Sequence, residues 1–282
     1  MNLPDLEYMS VLVQKRIGIV LGREKDYLLD TRLAPVARQF NHASVAQLVQ
    51  SIRRGDLVAE EAAIEAMTTN ETLFFRDRLP FDQLERVMIP KLLASRPLGS
   101  EIRIWCAACS CGQEPYSMAM MIDQHPAWTA RAKFSILGTD VSRAMIEKAK
   151  SGIYTNFEIQ RGLPQRYLET YFKQDGPIWR IDRSIAAKAT FTRFNLLEDF
   201  SRFGSFDIIF CRNLLIYFDE IQKRSMLSRL SSRLAKDGYL VLGAAETVIG
   251  LSNAFEHHPT EKALYHPSAR LDAPPMRMVS GL

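Results

Sequence analysis

Three of the chain's four cysteines, Cys106, Cys109 and Cys111, fall within the stretch IWCAACSCGQEPYS at 104–117. Such a cluster could bind a metal, exchange electrons, or supply small side chains to a turn that holds a cofactor. A tetrahedral metal site needs four ligands. The fourth cysteine, Cys211, is far along the chain, so His125 or His42 would have to complete such a site. We therefore expect no metal, and read the cysteines as small residues where a strand gives way to a helix.

The residues around them carry a different chemistry. Gly112 suits a positive φ or the close approach of a ligand to the backbone, and Pro115 suits the first turn of a helix. The strand–turn–helix outline is that of a nucleotide site, yet the G-x-G-x-x-G of dinucleotide enzymes is missing. Glu114 stands instead at the helix mouth, where a carboxylate repels phosphate and attracts a cation; it could equally be a surface acid complementing the helix dipole. Asp140, at the end of the next apolar run, could accept both hydroxyls of a ribose, or simply cap the following helix. It lies 28 residues beyond Gly112, further than the roughly 20 of a dinucleotide fold. Together Glu114 and Asp140 point to a positively charged nucleoside without phosphate, and S-adenosylmethionine is such a ligand.

The elements that must position these residues change in character along the chain. Residues 4–69 repeat apolar side chains near a 3.6 period and read as helices. Ser44 and Ala59-Glu60-Glu61 are taken as starts, and Gly22 and Gly55 as stops. A longer helix is expected over about 79–94, followed by a linker, SRPLGS. From Glu101 short apolar strands alternate with amphipathic helices, the pattern of a mostly parallel sheet covered on both faces. Ligands in such sheets bind beyond the carboxyl ends of the strands. A small antiparallel insertion is expected over about 172–193, from pieces around 178–181 and 190–194. The division is 1–78 all-α, 79–100 linker helix, 101–268 α/β, and 269–282 a loose tail.

Composition is that of a soluble globular chain, with 47% hydrophobic and 24% charged residues and a net charge of +4. No apolar run approaches the roughly 18 residues of a membrane span. The first residues lack a secretory pattern, and with few cysteines a cytoplasmic location is expected. Charge is uneven: Lys15, Arg16, Arg23, Lys25, Arg32, Arg38, Arg53 and Arg54 outweigh Glu24, Asp26 and Asp30, a local net of +5.

Five collinear segments then carry a resemblance: MTTNETLFFRD (67–77), RIWCAACSCGQEPYS (103–117), GTDVSRAMIEKAKSGIY (138–154), FNLLE (194–198) and FDIIFCRNLLIYFD (206–219). Over roughly 9–266 the chain resembles the CheR family of chemotaxis receptor glutamate methyltransferases. The resemblance implies a Rossmann-like α/β domain of the class I S-adenosylmethionine-dependent type with a small β insertion, preceded by a small all-α domain. It assigns Asn70, Thr72 and Arg76, with Glu114 and Asp140, to the cofactor site, where the turn glycine Gly112 is also expected to approach the ligand. It sets Asn195 and Leu196 beside the adenine, completes the pocket with Arg212 and Asn213, and brings Arg76 and Tyr217 nearest the transferred methyl.

The implied reaction is attack of a receptor glutamate carboxylate on the sulfonium methyl, giving a methyl ester and S-adenosylhomocysteine. The implied partners are the methylation helices of methyl-accepting chemotaxis proteins, with no nucleic acid and no membrane insertion, and a monomer is expected. Among the basic residues, Arg32, Arg38, Arg53 and Arg54 are candidate substrate contacts, since a positive face steers toward glutamates. The chain departs from the family's wording at its cysteines and at Gln113. Its KQDGPIWRIDRS segment (173–184) is shorter than in members that dock a receptor's C-terminal peptide, which favours direct recognition of the helices. The rivals are a non-catalytic S-adenosylmethionine-binding regulator and a methyltransferase of another substrate class.

Overall fold

The structure is a computed structural model that describes residues 3–22 and 26–268. The tail expected at 269–282, and Arg23 and Lys25 of the basic stretch, lie outside the described residues. Four helices come first: α1 (Leu3–Ile17), α2 (Asp26–Gln39), α3 (Val45–Arg53) and α4 (Leu57–Ala66). Each buries a pair one turn apart, namely Met9/Val13, Leu29/Leu33, Leu48/Ile52 and Ala59/Ala63, in a common core. That spacing places both members on one helix face.

The caps follow local chemistry. Ser44 starts α3 as expected, its hydroxyl accepting from the Gln47 N–H. The start of α4 is not at Ala59: Asp56 caps it by accepting from the Ala59 N–H at 3.0 Å. Such a cap is worth about 1 kcal/mol, and Asp outcompetes a run of acids that merely complements the dipole. The stop after α1 is Gly18 at φ +80°, not Gly22. A Cβ at Gly18 would lie 2.8 Å from Phe218 Cε1, so packing against the second domain demands glycine there.

The expected connecting helix runs over Leu79–Gln83, Leu84–Met88 and Ile89–Ser95, with a π turn in its middle. Pro90 explains the turn. A proline ring clashes with the carbonyl four residues back, and the wider turn, in which Ile89 N–H reaches Leu84 O, relieves the clash.

Ten strands are described: β1 (Glu101–Ala107), β2 (Lys133–Asp140), β3 (Ile153–Thr155), β4 (Phe172–Asp175), β5 (Ile178–Ile181), β6 (Ala189–Arg193), β7 (Phe206–Cys211), β8 (Leu234–Leu242), β9 (Phe255–His257) and β10 (Leu264–Pro267). Seven form one sheet in the order β6-β2-β1-β7-β8-β10-β9. The first five of these run parallel, and β10 and β9 turn back antiparallel. Alternate residues feed opposite layers: Ile104, Cys106, Ile208 and Phe210 enter one core, Trp105, Ala107, Ile209 and Cys211 the other. Burial on both faces is why these strands read as continuous apolar runs.

The antiparallel insertion exists, but with different members. It is a three-stranded sheet of order β3-β5-β4, so it begins at Ile153 and ends at Ile181. The piece around 190–194 is β6, which pairs parallel with β2 at the edge of the main sheet. Its Phe191 packs over Gly138, where a Cβ would lie 2.7 Å from that ring.

Candidate active site

Register brings the chemistry together. Ala107 of β1 is level with Thr139 of β2 and with Cys211 of β7. The turns leaving these three strands therefore open at one height, where strand order reverses between β1's two neighbours. This is the switch point at which open α/β sheets bind ligands. A cleft with an empty volume of about 940 Å³, mouth included, lies there between the sheet and the all-α domain. Asn70, Thr72, Arg76, Glu114 and Asp140 line it, as do Asn195, Leu196, Arg212, Asn213 and Tyr217.

The turn after β1 is tightly wound. Ala108 and Ser110 adopt φ of +60° and +49°, and the Cys109 N–H donates to Thr139 O at 2.8 Å. This winding turns the Ser110 N–H onto Asp140 Oδ2 at 2.7 Å, while the Ser142 N–H donates to Oδ1 at 2.9 Å. Burial pushes the Asp140 carboxyl above its ordinary value, and the two N–H donors, with that of Val141, pull the other way. Each carboxylate oxygen keeps capacity for a further donor. The Ser110 hydroxyl donates to Asn70 O at 2.8 Å, tying the segment between the domains to the same turn.

Opposite this turn, Arg212 leaves β7 and pairs with two acids. It donates to Glu114 Oε2 and to Asp77 Oδ2, each at 2.6 Å, and to Arg76 O at 3.1 Å. Its side chain is 2% exposed and Glu114's is 13%. Glu114 is therefore half of an ion pair as well as a wall of the cleft. Glu71, Glu114 and Asp140 line the cleft against Arg76 and Arg212, and Asp77 further offsets Arg212. The excess is negative, which suits a cationic ligand.

Arg76 donates to Glu71 O at 2.8 Å. It belongs to a strained strap in which Phe75, Asp77 and Arg78 take φ of +50°, +67° and +50°. The Ser117 hydroxyl accepts from Phe75 N–H at 3.0 Å and pins the strap to the helix Gln113–Asp123. Tyr217, half-buried, also lines the cleft, and its carbonyl accepts from Val20 N–H at 2.9 Å. The Asn195 amide donates to Arg16 O at 2.6 Å, fastening the end of α1. Ile17, Phe194, Leu196 and Phe218 complete an apolar wall.

Other expectations fall differently. Gly112 does not line the cleft. At φ +83° it starts the helix, and a Cβ would lie 2.9 Å from Ala149 Cβ and 3.1 Å from Phe191, so glycine is required there for packing. Arg32 is turned inward, donating to Met67 O at 2.8 Å, Thr68 O at 3.1 Å and Thr69 Oγ1 at 3.2 Å. Arg53 donates to Pro4 O at 2.7 Å, pairs with Asp5 and covers the Tyr8 ring. Arg38 and Arg54 are exposed.

All four cysteines are free and buried. Burial holds the thiols of Cys106, Cys109 and Cys211 well above their ordinary value and Cys111 at about 11. They are neutral packing groups. Cys106 Sγ touches Met118 Sδ at 3.8 Å, and Cys111 Sγ touches Gln113 Oε1 at 3.7 Å.

One residue escaped the sequence reading. Glu246, 7% exposed, accepts from four backbone N–H groups: Leu214 and Leu215 on Oε1 at 2.8 and 2.6 Å, Asn213 and Gly243 on Oε2 at 2.8 and 2.7 Å. It moulds the turn that presents Arg212 and Asn213. No spacing signal marks it, because its partners are main-chain groups.

Comparison with known proteins agrees with this geometry. Residues 70–264 match the family described as "CheR methyltransferase, SAM binding domain", and residues 4–68 match "CheR methyltransferase, all-alpha domain". The chain is 41% identical over 259 residues to chemotaxis protein methyltransferase Cher2 of Pseudomonas putida, covering 89% of this chain and 93% of that protein. It is 39% identical to a chemotaxis protein methyltransferase of Vibrio parahaemolyticus, covering 90% and 94%. A more distant relative from Borreliella burgdorferi is 32% identical, covering 88% and 90%. With a sheet of this order, an all-α domain closing its cleft and both family descriptions spanning the chain, the protein belongs to the CheR methyltransferase family.

Proposed function

We propose that the cleft at the ends of β1, β2 and β7 holds S-adenosylmethionine and that Arg76 and Tyr217 position a glutamate carboxylate at its mouth. The protein is an S-adenosylmethionine-dependent protein-glutamate methyltransferase of chemoreceptors. The observation that carries this reading is a buried, acid-rich cleft shared by both domains. Its excess negative charge fits a sulfonium nucleoside, and its apolar wall of Ile17, Phe194, Leu196 and Phe218 fits a flat base. When bound there, S-adenosylmethionine supplies an electrophilic methyl group and S-adenosylhomocysteine is what remains.

The chain's own residues do the rest. Asp140 accepts from the ribose hydroxyls, Glu114 faces the charged amino-acid end, and Asn195 with Leu196 borders the adenine. Asn70 and Thr72 close the strap over the ligand, and Asn213 completes the wall beside Arg212. No general base is needed, since a glutamate with an ordinary pKa of about 4.3 is already ionised at neutral pH. Alignment and exclusion of water therefore carry the rate, and orientation alone can supply about 7–11 kcal/mol.

The partners are methyl-accepting chemotaxis proteins, and the part engaged is their cytoplasmic methylation helices, approached by the exposed Arg38 and Arg54. The short three-stranded insertion favours direct engagement over docking of a receptor tail, and a monomer suffices, since one chain supplies every residue invoked. No helix among the described residues is long and apolar enough to cross a membrane.

The test combines purified protein, tritiated S-adenosylmethionine and membranes bearing candidate receptors. Base-labile label on a receptor band is the expected result. Base-stable label would assign another substrate class, and donor binding without any label would make the protein a sensor of the donor.

A further inference from the structure

The all-α domain does more than roof the cleft. Glu65 of α4 accepts on one oxygen from the Ser142 hydroxyl at 2.7 Å and from the Ala144 N–H at 2.8 Å. Ser142 is 1% exposed and caps the helix Arg143–Ser151, accepting from Met145 N–H. Its own N–H donates to Asp140 Oδ1 at 2.9 Å. An unbroken path thus runs from α4 through Ser142 to the carboxylate read here as the ribose acceptor. Glu65 stands at a helix N-terminus, where negative charge is favoured, and its carbonyl accepts from the hydroxyl of Thr68, which lines the cleft. Glu61, one turn earlier on α4, reaches Arg193 at 2.6 Å beside the same strand end.

We infer that Glu65 is a positioning residue for the methyl donor: through Ser142 it fixes the orientation of Asp140, so the all-α domain sets donor affinity as well as meeting the receptor. The cause is geometric. Asp140 can accept from two hydroxyls only if its oxygens stay aligned with them, and the Ser142 N–H holds one of the two. Without Glu65, the Ser142 hydroxyl loses its acceptor and the backbone at 142–144 loses the carboxylate that braces it across the domain boundary. Because the residue touches neither donor nor substrate in this arrangement, its removal acts on binding and leaves the methyl-transfer geometry to Arg76 and Tyr217.

The inference rests on the reading of the cleft as the donor site. Its test is calorimetry with S-adenosylmethionine and S-adenosylhomocysteine on the full chain, alongside steady-state receptor methylation, for the wild type, E65A, E65Q, S142A and the E65A/S142A pair. Loss of a charge-assisted hydrogen bond predicts Kd and donor KM raised about tenfold in E65A, with kcat within about twofold of wild type. E65Q, which keeps an acceptor oxygen, restores part of the affinity. The double variant binds no more weakly than the poorer single one, as expected for two residues on one path. Native Kd and KM in folded E65A, or a fall in thermal stability with no change in Kd for E65Q and E65A alike, would overturn the inference. Absence of donor binding by the wild-type protein would instead remove the donor site itself.

Discussion

Arg212 and Glu114, 98 residues apart in sequence, meet at 2.6 Å with Arg212 fully enclosed and Asp77 on its other flank. The Arg212 Nε–H is buried without a partner. The pair couples three segments: the helix after β1, the turn after β7, and the strained strap at 75–78. Removing one member of a buried pair costs more than the pair contributes, about 3–5 kcal/mol, because the remaining charge is stranded. Arg212→Ala should therefore lower the melting temperature and abolish measurable donor binding. Arg212→Met, of similar volume, should behave likewise, since the stranded Glu114 carboxylate and not the lost volume sets the cost. Thermal melts and calorimetry check both.

Glu246 gives a second, separable expectation. Its four N–H donors are inside the fold, and leaving them unsatisfied costs at least about 3 kcal/mol in sum. Glu246→Ala should reduce stability measurably by urea titration. Glu246→Gln, whose amide offers one acceptor oxygen in place of two, should fall between that variant and the wild type. In the partly stable glutamine variant, donor KM should rise more than kcat falls, because the turn holding Arg212 and Asn213 loosens while Arg76 and Tyr217 are untouched.

The sequence marks several residues that the fold gathers in one cleft, and the reason is physical. Asp140 stands out because an apolar run stops at it, Arg212 and Asn213 enter only through resemblance to the family, and the sheet makes their convergence a matter of register. What was illegible depends on contacts between distant segments. Arg53 reads as a free cation until Asp5, Pro4 O and Tyr8 are seen around it. Gly112 reads as a ligand-facing glycine until Ala149 and Phe191 close over it. β6 reads as part of the antiparallel insertion because an edge strand of a parallel sheet and a short hairpin strand share β-branched and aromatic composition.

The elevated pKa of Asp140 fixes the sign of a pH effect. Its folded value lies above the ordinary 3.8, chiefly through burial. For the unliganded fold, Asp140 therefore contributes relative stability that is fully present below the unfolded pKa and lost as pH rises through the folded value. Donor binding runs the other way, because only the carboxylate accepts from both hydroxyls. Affinity should fall as pH drops toward the folded pKa, at a higher pH than an unburied aspartate would give. Asp140→Asn should bind weakly and remove this acid limb, which calorimetry across the pH range resolves. An acid limb unchanged in Asp140→Asn would assign it to another group.

The four thiols are expected to be inert in the native state. Thiolate is the reactive form, and burial holds Cys111 at about 11 and the other three well above their ordinary value. Near neutral pH, iodoacetamide should label none of them over the time in which a model thiol is consumed. After denaturation it should label all four, counted by mass spectrometry. Fast native labelling of Cys109 or Cys111 would mean that the turn after β1 opens, and labelling suppressed by S-adenosylhomocysteine would locate that opening at the cleft.

The basic helices separate into two classes that charge reversal should distinguish. Arg38 and Arg54 are exposed, whereas Arg53 fastens α3 to the start of α1 and Arg32 ties α2 to residues 67–69. Reversing Arg38 and Arg54 together to Glu should leave the melting temperature and donor Kd near wild type while slowing receptor methylation roughly tenfold at low salt, a deficit that added salt narrows because it is electrostatic. Arg53→Glu should instead lower stability, by placing a carboxylate beside Asp5. Arg32→Ala should weaken donor binding, since Thr68, Thr69 and Asn70 line the cleft and their segment loses its guanidinium anchor. Equal behaviour of all four residues in the methylation assay, with donor affinity unchanged throughout, would mean that α2 and α3 meet the receptor as one charged face and that the inward bonds of Arg32 are dispensable.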